Sequence, residues 1–212
     1  EFSTLLVCMM LFVALCVFAA GSGEKDTKAA EEIVIAVPAL PATMEPGDIS
    51  NQTVAMYKVF MNMYDTLIKI DYKNNTGTKP ALAESWKRID DTTLELKLRK
   101  GVKFWDGSEF TADDVLATFG SRRALSEDSV MGKDKNFPTF KEVQKIDDYT
   151  IRIITKKADP SVEQILSLPS FSIINGKAFN SQDFKTWQFK PLGTGPYKIT
   201  ENVLNKYEPF IK

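Results

Sequence analysis

The chain has 212 residues, 27 of them basic and 28 acidic, a net charge of −1 and no histidine. This balance lacks the one-sided basic surface that nucleic acid or anionic lipid attracts. Both cysteines, Cys8 and Cys16, fall in the first twenty residues. Beyond them the chain holds neither thiol nor imidazole, which excludes a Ser-His-Asp triad, a Cys-His pair, a His-ligated zinc, a thiolate cluster and a disulfide framework there.

Residues 5–20 form one apolar run, shorter than the roughly 20 residues a membrane-spanning helix needs. The run ends in the small residues Ala19 and Ala20, and Gly21, Ser22 and Gly23 follow. Together these predict an export signal over 1–21, with Ala19 and Gly21 at the small positions for a cut after Gly21. Cys16 follows the bulky Leu15, which argues against lipid attachment. Residues 22–32 read as a flexible polar linker. Residues 31–37 read as a first strand, carried by Ile33, Val34, Ile35 and Val37, and Pro38, Pro41 and Pro46 then keep the chain extended. Residues 50–64 read as a helix with Val54, Tyr57, Met61 and Tyr64 on one face. A strand over 65–72 and a turn over 73–77 follow.

In the next strand Leu94, Leu96 and Leu98 alternate with Glu95, Lys97 and Arg99, the pattern of a half-buried antiparallel strand. Val102, Phe104 and Trp105 suggest a second short strand, closed by Asp106 and Gly107. Thr111 is placed as an N-cap, with Asp114 completing a capping box and Phe110 and Val115 forming a hydrophobic staple. That helix is predicted to run to about Leu125, with a polar loop over 126–138. The stretch RIDDTTLEL at 88–96 resembles KIDDYTIRI at 145–153. Each reads as an Asp-Asp turn feeding an alternating strand, and the two strands are expected to be neighbours. A short helix over 162–168, a strand over 171–175 and a tight turn at 193–199 entering a strand complete the reading.

Three aspartate pairs, 90/91, 113/114 and 147/148, suggest carboxylate chemistry, but each sits at a turn or helix start, where Asp accepts backbone N–H bonds. They are read as structural, and no catalytic residue is assigned. The GTGP turn at 193–196 does not suit phosphate, because Pro196 lacks an N–H and a strand rather than a helix follows. Trp86 and Trp105 are assigned to the core, and Trp187 is left open. The loop over 45–53 joins the first strand to the first helix and offers small polar groups where a loop meets ligand. A plain solvated connection fits it equally well.

The motifs LAESW at 82–86, LKLRKGVKF at 96–104, DG at 106–107, TADDV at 111–115 and GTGPY at 193–197, in this order, resemble the dipeptide/oligopeptide-binding family of extracellular solute-binding proteins. The resemblance covers residues 33 to the end. It implies an α/β fold of the periplasmic-binding-protein type, a two-lobed clamp with mixed β-sheets that closes on an extended peptide, of which only the N-terminal part is present. Within it, 33–64 and 185–212 are expected to form segments of the first lobe and 65–184 an inserted α+β subdomain. The second lobe is missing, so an isolated piece is expected to bind peptide weakly. By position, the resemblance assigns ligand contacts to Ser50, Asn51 and Gln52. It implies no metal, cofactor or enzymatic activity, an exported protein in the periplasm or cell envelope, a monomeric full-length form, and an ABC permease in the cytoplasmic membrane as partner. Relatives that bind sugars, opines, haem or chelated metal keep those ligands open. A truncated surface antigen without a transport role and an exported carboxylate hydrolase are the remaining alternatives.

Overall fold

A computed structural model describes residues 43–48, 53–73, 77–120, 123, 136–189 and 192–198, all within the unit Val37–Lys212. The predicted export signal, linker and first strand lie outside the described residues. In chain order the elements are α1 (Val54–Met63), β1 (Ile68–Asp71), β2 (Gly77–Pro80), β3 (Ala83–Asp90), β4 (Thr93–Leu98), α2 (Ala112–Phe119), β5 (Phe140–Asp147), β6 (Thr150–Thr155), α3 (Val162–Ile165), a 3₁₀ turn (Pro169–Phe171), α4 (Gly176–Ser181) and α5 (Phe184–Trp187).

The repeated Asp-Asp motif builds the main sheet. Asp90 takes the Thr92 N–H at 2.8 Å, and Asp147 takes the Tyr149 N–H at 2.8 Å, so each carboxylate stabilises the turn of an antiparallel hairpin, β3–β4 or β5–β6. The two hairpins meet as expected: β4 and β6 pair antiparallel, and the strand order is β3-β4-β6-β5. Leu94 faces Ile153 and Leu96 faces Ile151 across that seam, and all four are buried. On the other face Glu95 lies between Lys87 and Arg152, with the Arg152 Nη2 at 2.9 Å and the Lys87 Nζ at 3.4 Å. The strand expected over 65–72 appears as β1 and pairs antiparallel with β2, a strand the sequence reading did not include, in a separate two-stranded sheet.

α2 lies on this sheet and begins as expected. The Thr111 side chain accepts from the Asp113 N–H, Asp114 accepts from the Thr111 N–H at 2.9 Å, and Phe110 and Val115 are fully buried. It ends sooner than expected, because Gly120 takes extended backbone. The main core also holds Leu67, Phe104, Phe137, Phe171 and Ile173. Two smaller clusters flank it: Met44, Phe60, Met63 and Tyr64, and Ile174, Ala178, Phe179 and Trp187.

Four expectations are corrected. Residues 102–105 form no strand, only a bridge between Lys103 and Glu109. The turn between them consumes its own donors: Asp106 accepts from Ser108, and the Phe104 N–H reaches the Ser108 carbonyl at 2.9 Å. Residues 171–175 also form no strand, since the Ile173 N–H pairs with the lone carbonyl of Asp65 rather than with a ladder. On α1 the expected face is displaced. Val54 is 74% and Met61 50% exposed, while Phe60, Met63 and Tyr64 are buried, because the helix packs against residues 43–48 and the GTGP turn. Met61 instead borders an open groove of about 380 Å³ shared with Tyr57, Ile70, Tyr72 and Leu168. Finally, Trp105 is 44% exposed rather than core, whereas Trp187 is buried edge-on against Phe179. Trp86 is half-buried and packs against the main core.

Two outcomes follow from this arrangement. Leu96→Ala is expected to cost about 2–5 kcal/mol in urea unfolding, whereas Lys97→Ala on the solvent face is expected to change stability by less than about 0.5 kcal/mol. The second concerns acid. Backbone N–H donors hold the Asp90 and Asp147 carboxyls below the usual range, and the hydrogen bond from Arg152 does the same for Glu95. A carboxyl lowered in the fold stabilises it above its unfolded value, near pH 4, and that contribution is lost as pH falls through the folded value. Urea midpoints are expected to fall below about pH 4, and the double substitution Asp90→Asn, Asp147→Asn is expected to flatten part of that fall. Asp114, raised by burial, acts in the opposite sense, its contribution being present below the ordinary carboxyl value and lost as pH rises.

Candidate functional site

Ser50, Asn51 and Gln52 lie outside the described residues, but the chain on both sides of them is described. On the N-terminal side the anchor is a buried ion pair. Arg123, past the end of α2, donates from Nε to Glu45 Oε1 at 3.0 Å, from Nη2 to the same oxygen, and from Nη1 to the Thr118 carbonyl at 3.1 Å. Both side chains are at most 2% exposed. The Gly47 N–H also reaches Glu45 Oε1 at 2.6 Å, and a Cβ at Gly47 would lie 2.6 Å from Arg123 Nη2. Only glycine admits the guanidinium this close. The turn is closed by the Asp48 N–H on the Glu45 carbonyl and by Thr43 Oγ1 on Asp48 Oδ2 at 2.8 Å.

The phenol of Tyr64, one residue beyond α1, donates to the Met44 carbonyl at 2.9 Å. Burial, then the Glu45 charge, push that phenol well above its ordinary pKa, so it remains a neutral donor. The far end of α1 is fixed by the GTGP turn. The N–H groups of Gly195 and Tyr197 donate to the Met63 and Asn62 carbonyls, each at 3.0 Å. These carbonyls are among those a helix C-terminus leaves unpaired. A Cβ at Gly193 would lie 1.9 Å from Met63 O, which explains the glycine. Thr194 Oγ1 donates to Asp65 at 2.9 Å. The described chain on either side of 49–52 is thus tied to the same body, through Glu45–Arg123 before it and α1 after it.

The aspartate pairs do not converge on a cleft. Asp114 ties two helix starts together, taking the Thr111 N–H on one oxygen and the Gly176 N–H, at 2.8 Å, on the other. Asp113 pairs with Lys145 at 2.9 Å. The Gly195 N–H of the rejected phosphate turn is spent on Met63. Among the described residues no three acidic, Cys or His side chains converge on a point a metal ion could occupy, and no helix is long and apolar enough to cross a membrane. Sequence reasoning missed the Glu45–Arg123 pair. The two residues are 78 positions apart, and the only local signal was the glycine at 47.

Residues 77–209 match the family described as bacterial extracellular solute-binding proteins, family 5 Middle. The chain belongs to this family of extracellular solute-binding proteins. It is 28% identical over 220 residues to the oligopeptide-binding protein AppA of Bacillus subtilis (strain 168), a match covering 96% of this chain and 40% of AppA. It is 32% identical over 172 residues to the glutathione-binding protein GsiB of Escherichia coli O1:K1 / APEC, covering 81% of this chain and 32% of GsiB. The structure is similar, at a TM-score of 0.65 and 28% identity, to the ABC transporter-associated periplasmic binding protein DppA from Helicobacter pylori in complex with the peptide STSA, covering 77% of this chain and 36% of DppA. The fold, helices with sheets that are antiparallel throughout the described residues, is that of part of a two-lobed α/β periplasmic binding protein, and the chain spans no more than 40% of the length of these relatives.

Removing one partner of a buried pair strands the other charge, a loss of about 3–5 kcal/mol. Arg123→Ala is expected to destabilise the protein by that amount in urea unfolding, and Glu45→Ala by a similar amount. The double variant is expected to lose less than the sum of the two.

Proposed function

We propose that this chain forms part of the substrate-binding component of an ABC importer, which captures extended peptides outside the cytoplasmic membrane and passes them to a permease. The reading rests on the family, on relatives named for binding oligopeptides and glutathione, and on one observation: the loop carrying Ser50, Asn51 and Gln52 springs from a base locked by Glu45–Arg123 on one side and α1 on the other. A loop fixed at both ends presents main-chain groups to a peptide without a large ordering cost. Backbone pairing then recognises the peptide whatever its side chains. In this proposal residues 33–64 and 185–212 belong to the first lobe, 65–184 form its inserted subdomain, and the full-length protein is an exported monomer.

The test is calorimetric titration of the full gene product with di- to pentapeptides, with thermal unfolding followed in parallel. Peptides that bind only the folded state raise the midpoint by mass action, and dissociation constants of micromolar or below are expected. Asn51→Pro and Gln52→Pro each remove one main-chain N–H and are each expected to weaken binding at least about fivefold, the effect of roughly one hydrogen bond, whereas the alanine variants keep that donor and are expected to bind nearly as wild type. If no peptide of any length gives heat or a thermal shift, the peptide reading fails.

A further inference from the structure

Between α1, β1 and the 3₁₀ turn lies the open groove of about 380 Å³, at the small end of the roughly 300–1,000 Å³ range of ligand sites. Its apolar surface comes from Met61 of α1, from Ile70 and Tyr72 on the β1 side, and from Leu168. Met61 and Tyr72 are 50% and 75% exposed. Tyr57 and Met61, one helical turn apart, give α1 a second apolar stripe besides the one buried beside Met44.

The polar side chains that line the groove are engaged elsewhere. Thr66 Oγ1 donates to the Ile68 carbonyl at 2.7 Å, and Ser167 Oγ and Ser172 Oγ donate to the Gln164 and Pro169 carbonyls, both at 2.6 Å. The Tyr64 phenol is committed to Met44, and the Tyr57 phenol lies 3.5 Å from Ser170 Oγ. Two cations stand at the rim, Lys69 and Lys79, and they are directly opposite each other in the β1–β2 ladder. Like charges at such positions destabilise a sheet. Asp65 pairs with Lys69 at 2.7 Å, whereas Lys79 is exposed and has no charge partner among the described residues. An apolar groove with one unspent ammonium at its edge complements an apolar body that carries one negative charge.

We propose that this groove binds a small free carboxylate with an apolar tail, the tail lying along Tyr57, Met61, Ile70 and Leu168 and the carboxylate meeting Lys79. Burial of the tail against these side chains supplies the attraction. The ion pair selects for an anion and offsets the repulsion between Lys69 and Lys79. The site draws on no residue of the loop at 49–52, and it stands whether or not the protein binds peptides.

The test uses the full gene product, with octanoate as the probe and 1-octanol as its uncharged counterpart. Calorimetric titration is paired with NMR of methyl-labelled methionine, Met61 being assigned by the loss of its signal in Met61→Leu. Octanoate is expected to bind saturably and to shift the Met61 methyl. 1-Octanol is expected to bind about two- to fivefold more weakly, the range of an exposed ion pair. Lys79→Gln is expected to remove that difference, and Lys79→Arg to keep it. Because Lys79 is exposed, both variants are expected to fold, which an unchanged thermal midpoint checks. Equal octanoate affinity in wild type and Lys79→Gln overturns the proposal. So does a Met61 methyl that octanoate leaves unmoved, whether another part of the full chain or a second copy covers the groove or the groove holds nothing.

Discussion

The antiparallel seam between β4 and β6 is the contact on which the remaining structure hangs. It joins two hairpins that are each local in sequence but whose strands are more than fifty residues apart. Its buried Leu and Ile pairs hold one face of the sheet against α2. Burial of such side chains contributes about 1.5–3 kcal/mol each, so this seam is the natural organiser of the core. From α2 the structure branches twice. Asp114 ties its start to α4, and beyond its end Arg123 takes hold of Glu45.

That second branch uses an interaction poorly suited to stabilising a protein. Two charges withdrawn fully from water cost several kcal/mol each, and a well-packed apolar pair often serves stability as well or better. What an ion pair supplies is geometry. The guanidinium directs two donors at one carboxylate oxygen and a third at the Thr118 carbonyl, an arrangement that tolerates little displacement. Under the peptide-binding proposal, that geometry suits the base of a loop that meets varied ligands.

The sequence made the sheet legible because its signals are local. Alternation of Leu94, Leu96 and Leu98, a doubled Asp-Asp turn and a capping box at Thr111 each act within a few residues, and each appears as read. The errors share the opposite cause. The face of α1 was displaced because Met44 and the GTGP turn, distant in sequence, decide which side is covered. Trp105 was placed in the core because a tryptophan beside a strand usually packs inward, whereas here a distant carbonyl at Gly195 draws the indole outward. Trp187 was buried by Phe179 across a helix boundary in a stretch whose polar composition concealed it. The ties from the flanks of 49–52 to the body, Glu45–Arg123, Tyr64–Met44 and Gly195–Met63, are long-range, so motif order revealed the family but not these ties.

The central claim is that the loop at 50–52, braced by Glu45–Arg123 and α1, meets a peptide. Its most direct test is a crystal structure of the full gene product with a bound oligopeptide. The account predicts main-chain hydrogen bonds of about 2.7–3.2 Å between that loop and the peptide backbone, with the Glu45–Arg123 pair intact. A peptide seated elsewhere, with no contact from residues 49–53, would contradict it.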